Sequence, residues 1–323
     1  MIRKVGIASV VLASALAFTS PSHGQEYPSR PVTVVVPWSP GAVTDVLARL
    51  VSEGLRQELG QPFIVDNKAG ASGAIGSTFV AFAKPDGYTL LMTVSAPITT
   101  NQFFQKKYPF NPLKDVVPIS MVSESALVLA VHPDLPVNTI EEFIEYARKN
   151  PGKLSYGTPG IGTAQHIVGE TMKRDLGIDM VHVPYRGAEP AVQALISGVI
   201  PAAFATVPTV LQLSKEGRLR IIATTRRTPL LDLPDVPPIS RVLPGFESVS
   251  WVGIFAPGGT PLPIIEKLTT AIAKIVRKPE ISDIMRANGN IVVGSTPGDL
   301  DKQVRSEISK WGPIIKDLGI GEK

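Results

Sequence analysis

The sequence predicts an α/β fold built on parallel sheets, and three observations carry that prediction. Short β-branched or apolar runs alternate with amphipathic stretches along the whole chain after residue 30, the pattern of strand–helix–strand units. The clearest run, Pro31 to Val36 (PVTVVV), has the composition of a strand buried on both faces. One device, a buried strand followed by a Gly/Pro/Ser/Thr loop and a helix start, occurs near residues 37–45 and again near 157–164.

The elements follow in order. After the strand 31–36, Thr44 or Asp45 is expected to cap a helix whose apolar residues Val46, Leu47, Leu50, Val51, Leu55 and Leu59 recur at helical spacing, with Gly60 as its stop. Phe63 to Val65 reads as a short strand, Gly70 to Gly76 as a loop, Ala74 to Ala83 as a helix and Tyr88 to Val94 as a strand entered through the turn Pro85-Asp86-Gly87. A second set opens with a strand at 127–131. Thr139 and Glu142 form a capping box for a helix to Lys149. Strands are then expected at 154–156, 180–183, 202–205, 219–224 and 251–256, with helices at 164–175 and 190–197 between them. Three amphipathic helices, 261–276, 280–288 and 297–318, close the chain.

Composition narrows the function. With 44% hydrophobic and 19% charged residues, the 323-residue chain is globular, not disordered, and long enough for one large or two ordinary domains. A formal net charge of +4, evenly spread, does not build a nucleic-acid groove, so no nucleic-acid partner is expected. Zero cysteines exclude thiol catalysis, disulfides and thiolate metal sites. The first 24 residues read as a secretory signal: Arg3 and Lys4 precede an apolar stretch from Val5 to Phe18, and Ser22-His23-Gly24 offers a cleavage site before Gln25. That stretch is too short to span a bilayer, which takes roughly 20 residues. The expected product is an exported protein, periplasmic in a Gram-negative cell.

Two helix N-termini preceded by small-residue loops are natural anion sites, because unpaired N–H groups and the positive end of the helix dipole point at one place. Ser39, Thr158 and Thr163 can add hydroxyl donors, Trp38 an apolar wall, and Arg186, just after a strand, a cation for a carboxylate. Each also has an ordinary structural explanation as a turn, a cap or a packing residue. Signals for catalysis are poor. His132, His166 and His182 lack metal-ligand spacing, and no nucleophile elbow or phosphate-binding glycine motif occurs, so neither a cofactor nor a metal is expected. An exported enzyme using Asp45 and His166 stays open as an alternative, as does a ligand sensor that docks a membrane signalling protein.

Six segments in order, PSRPVTVVVPWSPGAVTD (28–45), VDNKAGASGAIGSTFVAFAKPDGYTLL (65–91), GKLSYGTPGIGTAQH (152–166), HVPYRGAEPAVQALISG (182–198), LPDVPPISRVLPGFE (233–247) and WVGIFAPGGTP (251–261), resemble the Bug-type, or tripartite tricarboxylate transporter, family of periplasmic substrate-binding proteins. The resemblance implies two Rossmann-like lobes joined by two crossing segments and closing like a Venus flytrap on a small di-, tri- or aromatic carboxylate. The lobes would comprise residues 25–123 with 249–323, and residues 124–248. The expected ligand-binding residues are Trp38, Ser39, Gly41, Ala42, Val43, Thr44 and Asp45 in the first loop; Thr158, Gly160, Gly162, Thr163, Ala164 and His166 in the second; and Ser95, Arg186, Phe204 and Thr206 around them. The resemblance also implies a monomeric, non-enzymatic receptor whose partners are the membrane subunits of a tripartite tricarboxylate transporter. Two departures from the family pattern matter. Gly41-Ala42 stands where two glycines are usual, which disfavours a positive φ at residue 42. Pro201 stands where an aspartate is common, which suggests a fully anionic ligand.

Overall fold

The computed structural model describes residues 27–105 and 107–321. The secretory leader expected at the N-terminus lies outside the described residues. In chain order the elements are β1 (Val32–Val36), α1 (Val43–Leu59), β2 (Phe63–Asn67), α2 (Ala74–Ala81), β3 (Thr89–Val94), β4 (Val116–Val131), α3 (Ile140–Lys149), β5 (Leu154–Thr158), α4 (Ala164–Leu176), β6 (Met180–Pro184), α5 (Ala188–Ile196), β7 (Ala202–Thr206), α6 (Val207–Lys215), β8 (Arg220–Thr224), β9 (Val249–Pro257), α7 (Leu262–Val276), α8 (Pro279–Ala287), β10 (Ile291–Val292) and α9 (Pro297–Asp317).

The strands form one curled path in the order β2-β1-β3-β9-β4-β7-β5-β6, with β8 and β10 also bonded to β4. The expectation of parallel sheets holds only for the flanks. β1 pairs in parallel with β2 and β3, and β5 with β6 and β7. The centre is antiparallel, because β9 runs against both β3 and β4, and β4 runs against β7 and β8. One long strand causes this: residues 116–126 of β4 pair with β9, and residues 127–131 pair with β7 and β8. The strand expected at 127–131 is therefore only the end of a 16-residue element.

Apolar clusters cover both faces of each half. In the first, α1 lays Leu47, Val51 and Leu55 against Leu268, Ile272 and Ile275 of α7. A Cβ at Gly54 would collide with Cγ2 of Ile275, so the missing side chain sets how closely these helices approach. Burying one Leu, Ile or Val is worth about 1.5–3 kcal/mol, so three such residues rival the whole net stability of a domain. That packing anchors α1, and with it the loop that precedes it. In the second half Tyr156, Phe143, Leu127 and Phe204 share a core. A smaller cluster joins the halves, with Trp311 and Ile315 of α9 against Ile167 of α4.

Local chemistry corrects two details. Neither Thr44 nor Asp45 caps α1: the helix starts at Val43, and its cap is Ala42, at φ −60° and ψ 154°, which contributes no side-chain bond. The negative φ at Ala42 fits the alanine in that position. At α3, the Thr139 hydroxyl accepts from the Glu142 amide, but the Glu142 carboxylate accepts from the Asn138 amide instead of closing the box on Thr139.

Candidate functional site

A cavity of about 540 Å³ opens where the loops after β1 and β5 face each other. Its walls include the first turns of α1 (Val43, Thr44) and α4 (Ala164, Gln165). Amides at the start of a helix have no carbonyl one turn back to bond, so both helices present free donors and positive dipole ends to one space. β4 and β9 form the floor through Ser125, Ser250, Trp251 and Val252. The rim is stitched by bonds between the halves. The Ser72 hydroxyl donates to the Ile161 carbonyl at 3.1 Å, and the Thr100 hydroxyl to the Gly162 carbonyl at 2.6 Å.

Of the residues expected from sequence, Trp38, Ser39, Ala42, Val43, Thr44, Ser95, Thr163, Ala164, Arg186 and Thr206 line this cavity. Seven others do not, and each has another role. Asp45, 2% exposed, ties the first loop together. It accepts from the Gly41 amide (2.9 Å), from Arg49 Nε (3.0 Å) and from Asn67 Nδ2 (2.9 Å). Burial works against its charge, but these bonds outweigh burial and hold the carboxyl below the usual range. Gly41 has thereby committed its amide to Asp45 and supports the loop. Phe204 is a core residue packed edge-on against Tyr156.

The second loop is held from beneath in a comparable way. The Gly162 amide donates to His166 Nδ1 at 3.2 Å, which consumes both groups. Thr158 is buried, with its hydroxyl 2.7 Å from His182 Nε2 and 3.3 Å from the Gly160 amide. Gly160 lies under Ser72. The two imidazoles stack at 4.1 Å, with Tyr156 stacked on His182 and Phe104 tilted against His166. Burial pushes His166 down to about 4, with Lys173 adding to the effect. It therefore stays neutral, as an acceptor at Nδ1 must.

This has a testable consequence. An unfolded histidine takes up its proton near pH 6.5 while folded His166 does not, so the unfolded state binds more protons and stability falls as the pH drops from 6.5 towards 4. The expected loss from this residue is on the order of 3 kcal/mol. Because other groups titrate in the same window, the readout is the difference between variant and parent: thermal melts across pH 4–7 should show His166→Asn, whose amide oxygen can still accept from Gly162, losing about 3 kcal/mol less than the parent as the pH drops from 6.5 to 4. A difference between variant and parent that does not change with pH would overturn the assignment to His166.

Sequence reasoning missed several lining residues. Pro159 sits inside the second loop already singled out and Gln165 in the first turn of the helix that follows it, and Ser125 and Ser250 are small polar residues within apolar strands. Trp251, 1% exposed, contributes its ring to the floor while its Nε1 donates to Glu307 at 2.7 Å. Gly187, Ala188 and Glu189 at the start of α5 also reach the cavity; they lie in the segment 182–198, where only Arg186 was expected to touch a ligand. Pro201 lies at the far end of β7 from Thr206 and is not in the wall, so the charge argument attached to it fails on position. Among the described residues no group of three or more His, Cys, Asp or Glu side chains could hold a metal ion, and no helix is long and apolar enough to cross a membrane.

The sequence pattern of the tripartite tricarboxylate transporter family receptor matches residues 47–320. The chain belongs to that family. Among similar proteins, protein BugT of Bordetella pertussis is 32% identical over 321 residues, covering 99% of this chain and 98% of BugT. Among solved structures, Rpa4515 of R. palustris with adipate superposes with a TM-score of 0.87 at 32% identity, over 91% of this chain and 99% of that one. MatC of Rhodopseudomonas palustris with bound malate gives 0.84 at 31%, over 90% and 100%. The periplasmic binding protein BugD superposes with a TM-score of 0.85 at 32% identity, over 92% of this chain and 100% of that one, so the periplasmic-binding-protein architecture expected from the resemblance is the fold of this chain.

Proposed function

We propose that this chain is a periplasmic solute-binding protein that captures a small di-, tri- or aromatic carboxylate in the cleft and delivers it to the membrane subunits of a tripartite tricarboxylate transporter. One observation carries the reading: two helix N-termini, from α1 and α4, open onto a single cavity, the arrangement that holds a carboxylate without a dedicated cation. The family membership and the adipate- and malate-bound relatives support the ligand class. In this reading residues 25–123 with 249–323 form one lobe and residues 124–248 the other, and the chain works as a monomer exported by a cleaved leader. The cavity-lining residues of both loops, with Ser95, Arg186 and Thr206, contact the ligand. Asp45, Gly41, Thr158, Gly160, Gly162 and His166 hold those loops in shape. Binding occurs without turnover, since Asp45 and His166 are both committed to loop contacts.

Titration calorimetry of the purified protein against a panel of carboxylates is the test. A one-to-one isotherm with at least one member, weakened by salt, is expected; tight binding of a neutral sugar and of no carboxylate would overturn the reading.

A further inference from the structure

The cavity wall contains two charged side chains among the described residues, Arg186 and Glu189. They have opposite sign and are separated by Gly187 and Ala188, yet they do not pair with each other. Neither takes part in an ion pair or a hydrogen bond with any described residue. Acids are common in the first turn of a helix, where they complement the dipole, and Glu189 occupies such a place in α5. Its carboxylate nevertheless turns back over the loop: Oε2 lies 3.6 Å from where a Cβ on Gly187 would stand, and Gly187 itself lines the cavity. A free carboxylate is thus part of a wall whose helix N-termini attract anions.

We propose that Glu189 is a specificity-determining residue that selects a ligand carrying a hydrogen-bond donor, a hydroxyl or an ammonium, in addition to its carboxylate. The inference rests on the carboxylate-binding reading above. A plain dicarboxylate can place one end at the helix N-termini and the other on Arg186, but it leaves Glu189 facing like charge as closure removes water. A ligand hydroxyl or ammonium gives Glu189 a charge-assisted partner instead. A site that supplies a charged acceptor discriminates against the analogue lacking the donor, because the acceptor is then left desolvated and unpaired. The expected preference is on the order of 10- to 100-fold.

The test is calorimetry at pH 7 and fixed salt with two matched series: succinate, malate and aspartate, then adipate, 2-hydroxyadipate and 2-aminoadipate. In the unaltered protein at least one donor-bearing member is expected to bind ten-fold or more tightly than its plain parent. Which arm gains, hydroxyl or ammonium, identifies the donor. Glu189→Ala and Glu189→Gln, both checked by thermal melting, are expected to tighten binding of the plain parents, and Glu189→Ala to erase the donor preference. Plain parents that bind as tightly as their derivatives, or a preference that survives in Glu189→Ala, would overturn this inference while leaving the carboxylate reading standing. Failure of all six probes and of the wider carboxylate panel would overturn both.

Discussion

Gly160→Val is expected to abolish ligand capture, with affinity falling at least 100-fold, while the protein stays folded. Gly160 sits at φ +148°, a conformation L side chains rarely adopt, and a Cβ there would lie 2.8 Å from the Ser72 hydroxyl oxygen and 3.5 Å from the Tyr185 carbonyl. Backbone strain of that kind costs about 1–3 kcal/mol. The contact with Ser72 matters more, because Ser72 belongs to the opposite wall and its hydroxyl bonds the carbonyl of Ile161, the next residue. A valine there wedges the two loops apart at the rim, so the α1 and α4 donors no longer converge. Calorimetry reads the lost affinity, and small-angle scattering should show no contraction on adding ligand. Ser72→Ala removes the nearest atom, so Gly160→Ala is expected to bind better in that background than alone. Unchanged affinity in Gly160→Val would remove the second loop from the site.

Glu307→Gln is expected to stabilise the protein above pH 7, with an advantage over the parent that grows as the pH rises from 4.5 to 7. Glu307 is 8% exposed on α9, and burial pushes its carboxyl up to about 7, partly offset by bonds from Gln303 and Trp251. The folded protein therefore keeps a proton that the unfolded chain loses near pH 4.5. Fewer protons bound in the unfolded state mean that stability declines as pH rises through that window, by about 3 kcal/mol once both states are ionised. Glutamine places its carbonyl where Oε1 accepts from Trp251 and Gln303, and carries no charge to desolvate. Melting curves from pH 4.5 to 8 on both proteins read the difference. A variant less stable than the parent at pH 8 would show that the ionised carboxylate is the stabilising form.

The flanking strand–helix units were legible because their signals are local. The run VTVVV, the glycine after Leu59 and the threonine before Ala164 each announce an element without help from distant residues. Residues 116–126 were not legible, because Pro118, Ser120, Ser123 and Ser125 break the apolar pattern of a strand. The shortest bond of the Ser120 hydroxyl goes to a partner far along the chain, the Ser295 carbonyl at 2.8 Å. α6 was missed because Pro208 looks like a breaker, whereas a proline in the first turn of a helix loses no bond. The two loops could be found from their composition. Which atoms face the cavity could not, because Asp45 and His166 look alike from sequence whether they touch a ligand or hold a loop. Trp251 and Glu189 were invisible for another reason: one depends on where β9 crosses the molecule, the other on how the chain turns at Gly187.

The position of β9 has a consequence for how the molecule assembles. β3 and β4 flank β9 and bond to it on either side, so the first sheet has a gap until residues 249–257 have been made. The cores around Tyr156 and Val192 draw on residues 126–243 and need nothing from either end of the chain. Synthesis from the N-terminus therefore yields a middle portion able to condense while the leading third waits, its β1–β3 flank lacking both β9 and the covering helices α7 to α9. Closing that gap joins residues more than 150 positions apart, a long-range step that delays completion of the sheet. The half that is made first is finished last.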